Sequence, residues 1–344
     1  MPEALDREPI EVLMTVPMAD ELLERLRKAC PGIRLRVIKA ARPEDIPAEA
    51  WATAEVLYTA RVLPVSELAP ALRWIQFHYA GIDHVREAPL LRREGLAATT
   101  LSGAAASQLS EYILMMLLSL GHRLPDLFDH QRRIAWPKDR WERFSPLELR
   151  GSTVGIVGYG SIGRQTARLL YGFGARVLAS KLDAMHPEDP GYAMDGMGDP
   201  DGDYVHRLYP ATALRSMARE CDFLVVCVPL TPTTRGLVSE AVLASLRPSA
   251  CLVDVSRGGV VDHAALVEAL REKRLAGAAL DVFPEEPLPT DSPLWKLPNV
   301  IVTPHISGNT PYYDERAVDL FIANLKRYLA GQALLNLVDV ERGY

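Results

Sequence analysis

The sequence predicts an α/β protein with two doubly wound, Rossmann-like parallel sheets, the first of them formed by two separate stretches of chain. Short apolar segments alternate with helical segments over most of the 344 residues. The alternation starts twice, near Glu11 and again at Thr153. A chain of this length usually exceeds a single hydrophobic core, so two domains are expected.

The first alternation follows from the apolar periodicity of the N-terminal third. It predicts strands at Glu11 to Val16, Leu35 to Ile38 and Val56 to Tyr58, and a helix over Ala19 to Cys30. Ala104 to Leu120 is apolar on all sides, which favours a helix buried between domains or subunits. The last helix, Tyr312 to Leu329, is long enough to return to the first unit. We therefore expect one domain over residues 1–103 and 309–344 and another over residues 104–308.

The second alternation has the near-continuous apolar strands of a parallel sheet that is covered on both faces. Its predicted strands are Thr153 to Val157, Arg176 to Ala179, Phe223 to Val228, Cys251 to Val255, Gly277 to Leu280 and Val300 to Thr303. Its predicted helices are Arg164 to Tyr171, Ala211 to Arg219, Ser239 to Leu246 and His263 to Glu272.

One segment, Asp183 to Arg207, interrupts this alternation of strands and helices; we call it the acidic loop. Its aspartates stand among Gly and Pro without helical or strand period, which predicts a solvated surface insertion. Asp199, Asp201 and Asp203 stand at every second position, a spacing that is also found among calcium ligands. The flanking helices and closing Glu of an EF-hand are missing, so no metal site is predicted.

Composition excludes several classes of function. The net charge of −6 argues against nucleic-acid binding, which needs a basic surface. The N-terminus lacks the pattern of a signal peptide, and the longest apolar run, Tyr112 to Leu118, is too short for a bilayer. We expect a cytoplasmic protein without membrane contact. Its four cysteines have no zinc or redox spacing and are expected to be reduced thiols.

The most specific motif is the glycine turn, Gly158 to Gly163, which follows a predicted strand and precedes a helix. Gly158 permits a tight turn, Gly160 lets the backbone approach phosphates, and Gly163 allows close packing of helix on strand. Together with Ser161 and Ile162, these residues predict a site for the pyrophosphate of a dinucleotide, facing the free N–H groups of the helix start.

Three polar side chains follow later strands of the same sheet. Arg257 lies in a glycine turn, Glu286 stands beside a proline, and His305 follows Thr303-Pro304. The carboxyl ends of parallel strands share one edge, where open α/β sheets bind ligands. Beside a nicotinamide, Arg257 can grip the carboxylate of a 2-oxo acid, while His305 gives a proton to its carbonyl oxygen. Glu286 is expected to orient the imidazole and favour its charged form.

The chain resembles the D-isomer-specific 2-hydroxyacid dehydrogenases, a family that includes glyoxylate/hydroxypyruvate reductases and phosphoglycerate dehydrogenase. The matching stretches are Gly158 to Gly163, Val228 to Gly236, Val255 to Gly259, Leu280 to Pro287, Thr303 to His305, Tyr79 to Asp83 and Ser107 to Glu111. The resemblance implies catalytic roles for Arg257, Glu286 and His305, and a contact from Asp281 to the nicotinamide carboxamide. It also implies that the Tyr79, Ala80 and Gly81 backbone binds the substrate carboxylate, and that the helix over Ala104 to Leu120 forms a homodimer interface.

The remaining cofactor contacts are expected at the strand ends of the second sheet. They are Ser180, Lys181, Val228, Pro229, Thr234, Val255, Ser256 and Gly308. Family members that use NAD usually carry an acid where this chain has Lys181. An ammonium there can pair with a 2′-phosphate, so NADP(H) is favoured over NAD(H). In the alternative, Lys181 points to solvent and Asp183 takes the ribose.

The expected activity is reduction of a small 2-oxo acid such as glyoxylate or hydroxypyruvate. One alternative is a dinucleotide-sensing binding protein of the corepressor type, and another is a phosphoglycerate dehydrogenase-like enzyme. Phosphite oxidation is disfavoured because Ala80 stands where a lysine is expected, and formate oxidation because it releases no hydroxyl proton. Six side chains are candidates for the substrate pocket or for the packing around it: Phe77, His78, Tyr79, His84, Tyr312 and Tyr313.

Overall fold

The computed structural model describes residues 8–189 and 191–344. The chain forms two compact units. Unit 1 contains the residues up to Ala104 together with Thr310–Tyr344, and unit 2 spans Ala105–Asn309. Pro190, which belongs to the acidic loop, and residues 1–7 lie outside the described residues.

Unit 1 is a five-stranded parallel sheet in the order β2-β1-β3-β4-β5. Strands β1 to β5 are, in order, Ile10–Met14, Ile33–Val37, Val56–Thr59, Trp74–Phe77 and Ala97–Thr99. The helices of unit 1 are α1 Asp20–Ala29, α2 Ala48–Thr53 and α10 Tyr313–Leu329. Strand β2 lies at an edge, where half-buried apolar side chains alternate with the exposed Arg34 and Arg36. Helix α10 completes the core, since Val318, Phe321 and Leu325 pack on one face of the sheet.

Unit 2 is a seven-stranded parallel sheet in the order β12-β11-β10-β9-β6-β7-β8. Strands β6 to β12 are Thr153–Val157, Arg176–Lys181, Arg207–Pro210, Phe223–Val226, Cys251–Asp254, Gly277–Leu280 and Val300–Val302. Helices α3 to α9 are Ala106–Gly121, Leu124–Arg132, Arg140–Arg143, Ser161–Phe173, Leu214–Ala218, Glu240–Leu243 and His263–Arg271. Strands β6, β9, β10 and β11 are buried along their whole length, which requires helices on both faces.

The topology of unit 2 fixes the position of a ligand site. Strand β6 pairs with β7 on one side and with β9 on the other, so the strand order reverses there. Ligands of open parallel sheets bind outside the carboxyl ends of the strands at this reversal. The glycine turn follows β6 directly. The predicted α/β class with two parallel sheets is confirmed.

Several elements differ from the sequence-based expectation. Strands β4 and β5 were not predicted, nor were helices α2, α4 and α5. The acidic loop ends in strand β8, which begins at Arg207 and joins the edge of the sheet beside β7. Within the described ranges, none of the helices combines the length and apolar character needed to cross a bilayer.

Candidate active site

The glycine turn has the geometry that a dinucleotide pyrophosphate requires. Gly158 has a φ of +107°, and a Cβ on Gly163 would lie 2.1 Å from the carbonyl oxygen of Gly158. A side chain at either position would therefore strain or displace the turn. A Cβ on Gly160, in contrast, would meet no described atom within 4 Å. Gly160 is the N-cap residue of α6, so open space lies at the start of a helix of 13 residues.

The other predicted cofactor residues occupy the neighbouring strand ends. Ser161 and Ile162 form the first helical turn of α6, while Val228 and Pro229 follow β9. The hydroxyl of Thr234 donates to the carbonyl of Pro229 at 2.6 Å and so closes that loop. Gly308 lies in the loop after β12, and a Cβ there would meet no described atom within 4 Å.

The turn that carries Arg257 is held by a buried aspartate. Asp254 ends β10, and one of its oxygens accepts from the amide of Ser256 at 3.0 Å and from its hydroxyl at 2.5 Å. Arg257 donates to the carbonyl of Ser256 at 2.9 Å. A Cβ on Gly258 would lie 1.9 Å from the carbonyl oxygen of Phe283. The turn with Arg257 therefore packs directly on the loop that leads to Glu286.

Asp254 has an unusual environment. It is 0% exposed, and its Oδ2 has no hydrogen-bond partner among the described residues. Burial raises its pKa from 3.8 to about 7, the bonds from Ser256 oppose this shift, and the nearby Asp281 adds to it. The sequence analysis did not single out Asp254, because an aspartate at a strand end has no distinctive spacing.

Glu286 and His305 contact each other at the carboxyl edge of the sheet. His305 Nδ1 lies 2.8 Å from Glu286 Oε2, and the other oxygen of Glu286 accepts from the amide of Phe283 at 2.9 Å. The two side chains are 41% and 36% exposed, so the pair is open to a ligand on one side. The carboxylate is thus fixed at both oxygens, one of them by the imidazole.

Asp281 anchors the loop that contains His305. Its buried carboxylate accepts from the hydroxyl of Thr303 at 2.6 Å and from the amides of Ile306 and Ser307 at 2.9 Å each. The hydroxyls of Tyr112 and Thr303 are 2.5 Å apart and extend this network. Three acceptor positions of the carboxylate are therefore used within the protein. A carboxylate has about four, so these internal bonds leave one acceptor position over.

Lys181 ends β7, as expected, and its ammonium binds the acidic loop. Nζ donates to the carbonyls of His186 at 2.6 Å and Glu188 at 3.0 Å. Burial lowers the pKa of Lys181, and Arg164 adds to this, whereas three nearby acids oppose it. Asp183 accepts from the amide of Met185 and lies 2.7 Å from His186 Nδ1, so its carboxylate is engaged within its own loop. Ser180 is buried.

The acidic loop is mostly exposed or half-buried, as expected of a surface insertion, but a few of its residues are buried and anchor it. Asp199 is 2% exposed and accepts the hydroxyl of Tyr159 and the amides of Asp203 and Tyr204. Arg164 is buried against the loop. These contacts involve side chains that the sequence analysis missed, although an arginine directly after Gly163, ahead of an acidic segment, was a usable signal. Among the described residues, no group of three His, Cys, Asp or Glu could hold a metal ion.

The predicted substrate residues of unit 1 lie in the loop after β4. Tyr79 and Ala80 are exposed, Gly81 is half-buried, and the carbonyl of Tyr79 accepts from Leu101 at 3.2 Å. Among the aromatic candidates, Phe77 and His78 belong to the buried part of the unit: Phe77 is 0% exposed, and His78 Nδ1 lies 2.8 Å from the hydroxyl of Tyr58. The others are half-buried (Tyr313) or exposed (His84 and Tyr312).

Comparison with known proteins identifies relatives of this arrangement. A model of the D-isomer specific 2-hydroxyacid dehydrogenase NAD binding domain matches residues 114–307. A glyoxylate reductase of Thermofilum pendens is 32% identical over 279 residues, which are 80% of this chain and 78% of the relative.

Two solved structures are similar over almost the whole chain. A D-isomer specific 2-hydroxyacid dehydrogenase from Xanthobacter autotrophicus Py2, in complex with NADPH and MES, has a TM-score of 0.79 and 28% identity, covering 98% of this chain and 100% of that one. An NADPH-dependent glyoxylate/hydroxypyruvate reductase from Sinorhizobium meliloti, in complex with NADP and sulfate, has a TM-score of 0.75 and 26% identity, covering 97% and 100%. This chain therefore belongs to the D-isomer-specific 2-hydroxyacid dehydrogenases and is an oxidoreductase that uses a nicotinamide dinucleotide.

Proposed function

We propose that this protein is an NADPH-preferring reductase that converts a small 2-oxo acid, of the size of glyoxylate or hydroxypyruvate, into the D-2-hydroxy acid. The observation that carries the proposal is the 2.8 Å contact between His305 and Glu286 at the sheet edge that also bears the glycine turn. The names of the Thermofilum pendens and Sinorhizobium meliloti relatives support the substrate class.

The residues present fit a dinucleotide. The open space at Gly160 and the helix start behind it suit the pyrophosphate. Ser161, Ile162, Val228, Pro229, Thr234, Val255, Ser256 and Gly308 would line the rest of the cofactor. The remaining acceptor position of Asp281 would take the carboxamide N–H. When bound there, a reduced nicotinamide would supply a hydride to the carbonyl carbon of the substrate.

The side chains of this protein perform the proton transfer and hold the substrate. Glu286 accepts from Nδ1–H of His305, which fixes the tautomer and stabilises the imidazolium. Nε2–H of His305 then donates its proton to the carbonyl oxygen as negative charge develops there. Arg257 binds the substrate carboxylate with its planar fork. The family resemblance also gives the backbone amides of Tyr79, Ala80 and Gly81 a role in holding the substrate.

Lys181 is the proposed determinant of cofactor choice. It stands at the end of β7, where the ribose of a dinucleotide lies in this fold, and an ammonium pairs with a 2′-phosphate rather than with a hydroxyl. The bound NADPH and NADP in the two similar structures support this preference.

A homodimer is proposed through α3 and the segment after it. One side of α3 packs within unit 2, where Ile113, Met116 and Leu117 are buried. Large apolar side chains are exposed farther along, with Ile134 at 95%, Trp136 at 83% and Trp141 at 80%. Soluble proteins rarely leave several such side chains exposed in one region unless they form an interface.

A substrate screen tests this function. The purified protein is mixed with glyoxylate, hydroxypyruvate, pyruvate or 3-phosphohydroxypyruvate and with NADPH or NADH, and the loss of reduced nicotinamide is followed by absorbance. We expect turnover of the small 2-oxo acids, faster with NADPH at limiting cofactor. Tight dinucleotide binding without turnover of any 2-oxo acid would contradict the proposal and favour a dinucleotide-sensing binding protein.

A further inference from the structure

A buried arginine joins the glycine turn to the acidic loop. Arg164 follows Gly163 directly, and its side chain is 3% exposed. Its Nε donates to Asp189 Oδ2 at 3.1 Å, and its two terminal nitrogens donate to the carbonyls of Asp199 and Pro187. Its guanidinium carbon also lies 4.6 Å from the centre of the Tyr159 ring. These three hydrogen bonds all end on the acidic loop.

The acidic loop has two further anchors on the same helix start. The hydroxyl of Tyr159, the residue between the first two glycines of the turn, donates to Asp199. Gln165 accepts from the amide of Gly198 at 2.7 Å. The loop is therefore attached to three residues of the segment that begins at the glycine turn. These anchors fix the loop beside the glycine turn.

The same loop also holds Lys181. The carbonyls of His186 and Glu188 bind its ammonium, while Pro187 and Asp189, the residues that alternate with them, bind Arg164. Four consecutive residues thus connect the two cations. An ammonium has three N–H donors, and the two carbonyls use two of them. The third is available to an anion in a fixed direction.

The energetics favour a functional reason for this arrangement. Taking a guanidinium out of water is costly unless its partners compensate, and an apolar side chain at such a position often stabilises a protein equally well. A free lysine side chain has many rotamers, and a ligand that binds it must overcome the loss of this freedom. Fixing the ammonium in advance removes much of that cost.

We propose that Arg164 is a positioning residue for cofactor choice, which acts through the acidic loop to fix Lys181 so that a dinucleotide with a 2′-phosphate is preferred to one with a free hydroxyl. This inference depends on the NADPH preference proposed above. Arg164 does not touch the cofactor in this account. Its effect is confined to the 2′-phosphate and leaves hydride transfer unchanged.

The test compares cofactor constants of matched variants. KM for NADPH and for NADH, together with kcat, is measured at saturating 2-oxo acid for wild type, Arg164→Gln, Asp189→Asn, Lys181→Ala and the double variant Arg164→Gln/Lys181→Ala. Arg176→Gln is the control, because Arg176 lies on β7 but pairs with Glu220, outside the loop. Losing one charge-assisted bond to the phosphate is expected to raise KM for NADPH about tenfold in Arg164→Gln, with KM for NADH and kcat unchanged.

The outcomes separate this inference from the proposed function. Asp189→Asn is expected to show the same selective effect at smaller size, and it decides the matter if Arg164→Gln does not fold, because Asp189 is partly exposed. The double variant is expected to match Lys181→Ala. If Lys181→Ala abolishes the NADPH preference while the Arg164 and Asp189 variants keep it, the inference fails and the proposed function stands. Equal increases for both cofactors would also overturn it, whereas a wild-type preference for NADH would refute both.

Discussion

His305 contacts Glu286 through a 2.8 Å pair between Nδ1 and Oε2, and it does so from a left-handed backbone conformation with a φ of +53°. A non-glycine residue in this region costs about 1 to 3 kcal/mol and persists where its surroundings determine it. Asp281 holds the backbone of His305 in this conformation, because it accepts hydrogen bonds from the amides of Ile306 and Ser307 and from the hydroxyl of Thr303. The imidazole is therefore aimed by the backbone as well as by its carboxylate partner.

Removing the imidazole or the guanidinium is expected to abolish most of the turnover. His305→Ala and Arg257→Ala should each lower kcat/KM for the 2-oxo acid by at least about 10²-fold, the usual contribution of a positioned acid-base group. Dinucleotide binding, measured by fluorescence titration, should change little, because neither side chain belongs to the glycine turn. Rates close to wild type in either variant would refute the proposed roles.

The sequence could place the three candidate catalytic residues on the sheet, because parallel topology brings the carboxyl ends of strands to one edge. Arg257, Glu286 and His305 each follow an apolar segment, so their place in the sheet could be inferred without coordinates. The anchors behind them could not be inferred. Whether Asp281 binds a ligand or its own loop depends on the path of residues 303–307, which no local pattern specifies.

The missed strands have a similar physical cause. Strand β4 contains Gln76, a polar residue that weakens the apolar pattern but is 0% exposed in the structure. Its amide oxygen accepts from Thr99 at 2.8 Å and from Asn324 at 3.2 Å, both distant in sequence. Strand β8 is a partly exposed edge strand, so it lacks an apolar run. Contacts with residues distant in sequence stabilise strand β4, whereas the central strands could be predicted from local apolar periodicity.

Two glycines of the turn are expected to respond differently to alanine. A Cβ on Gly163 would lie 2.1 Å from the backbone oxygen of Gly158, so Gly163→Ala should lower the melting temperature and abolish dinucleotide binding. Gly160→Ala should keep the wild-type melting temperature, because a Cβ there has open space, and yet weaken dinucleotide binding at least about tenfold by blocking the phosphates. Unchanged affinity in Gly160→Ala would contradict the proposed pyrophosphate position.

The proposed dimer can be tested on its exposed aromatic side chains. Sedimentation velocity of the wild-type protein should give twice the chain mass, and the double variant Trp136→Ser/Trp141→Ser should shift the equilibrium to monomer. These two side chains are more than three-quarters exposed, so the fold of the chain itself should not depend on them. Trp295→Ser is the control, since Trp295 is a half-exposed tryptophan elsewhere in unit 2. A monomeric wild-type protein, or a variant that remains dimeric, would count against this interface.

Asp254 is expected to make the stability of the protein depend on pH. Burial raises its pKa to about 7 from 3.8, so between these values the folded protein holds a proton that the unfolded chain has released. The contribution of Asp254 to the free energy of unfolding is then fully present below about pH 4 and is lost as the pH rises to 7. Asp254→Asn removes this loss of stability, because an amide does not titrate in this range. The variant keeps a side-chain oxygen that can accept the hydrogen bonds from Ser256.

The difference in the free energy of unfolding between Asp254→Asn and wild type should therefore grow in favour of the variant from pH 4 to 7 and stay level above. A shift of about 3 pKa units corresponds to about 4 kcal/mol, which is the upper bound for this growth. The measurement is urea unfolding at several pH values, with Asp291→Asn as the control because Asp291 is an exposed loop residue. Titrating groups that do not interact with Asp254 are shared by both proteins and cancel in the difference. A difference that does not change with pH would show that Asp254 is ionised in the folded protein throughout this range.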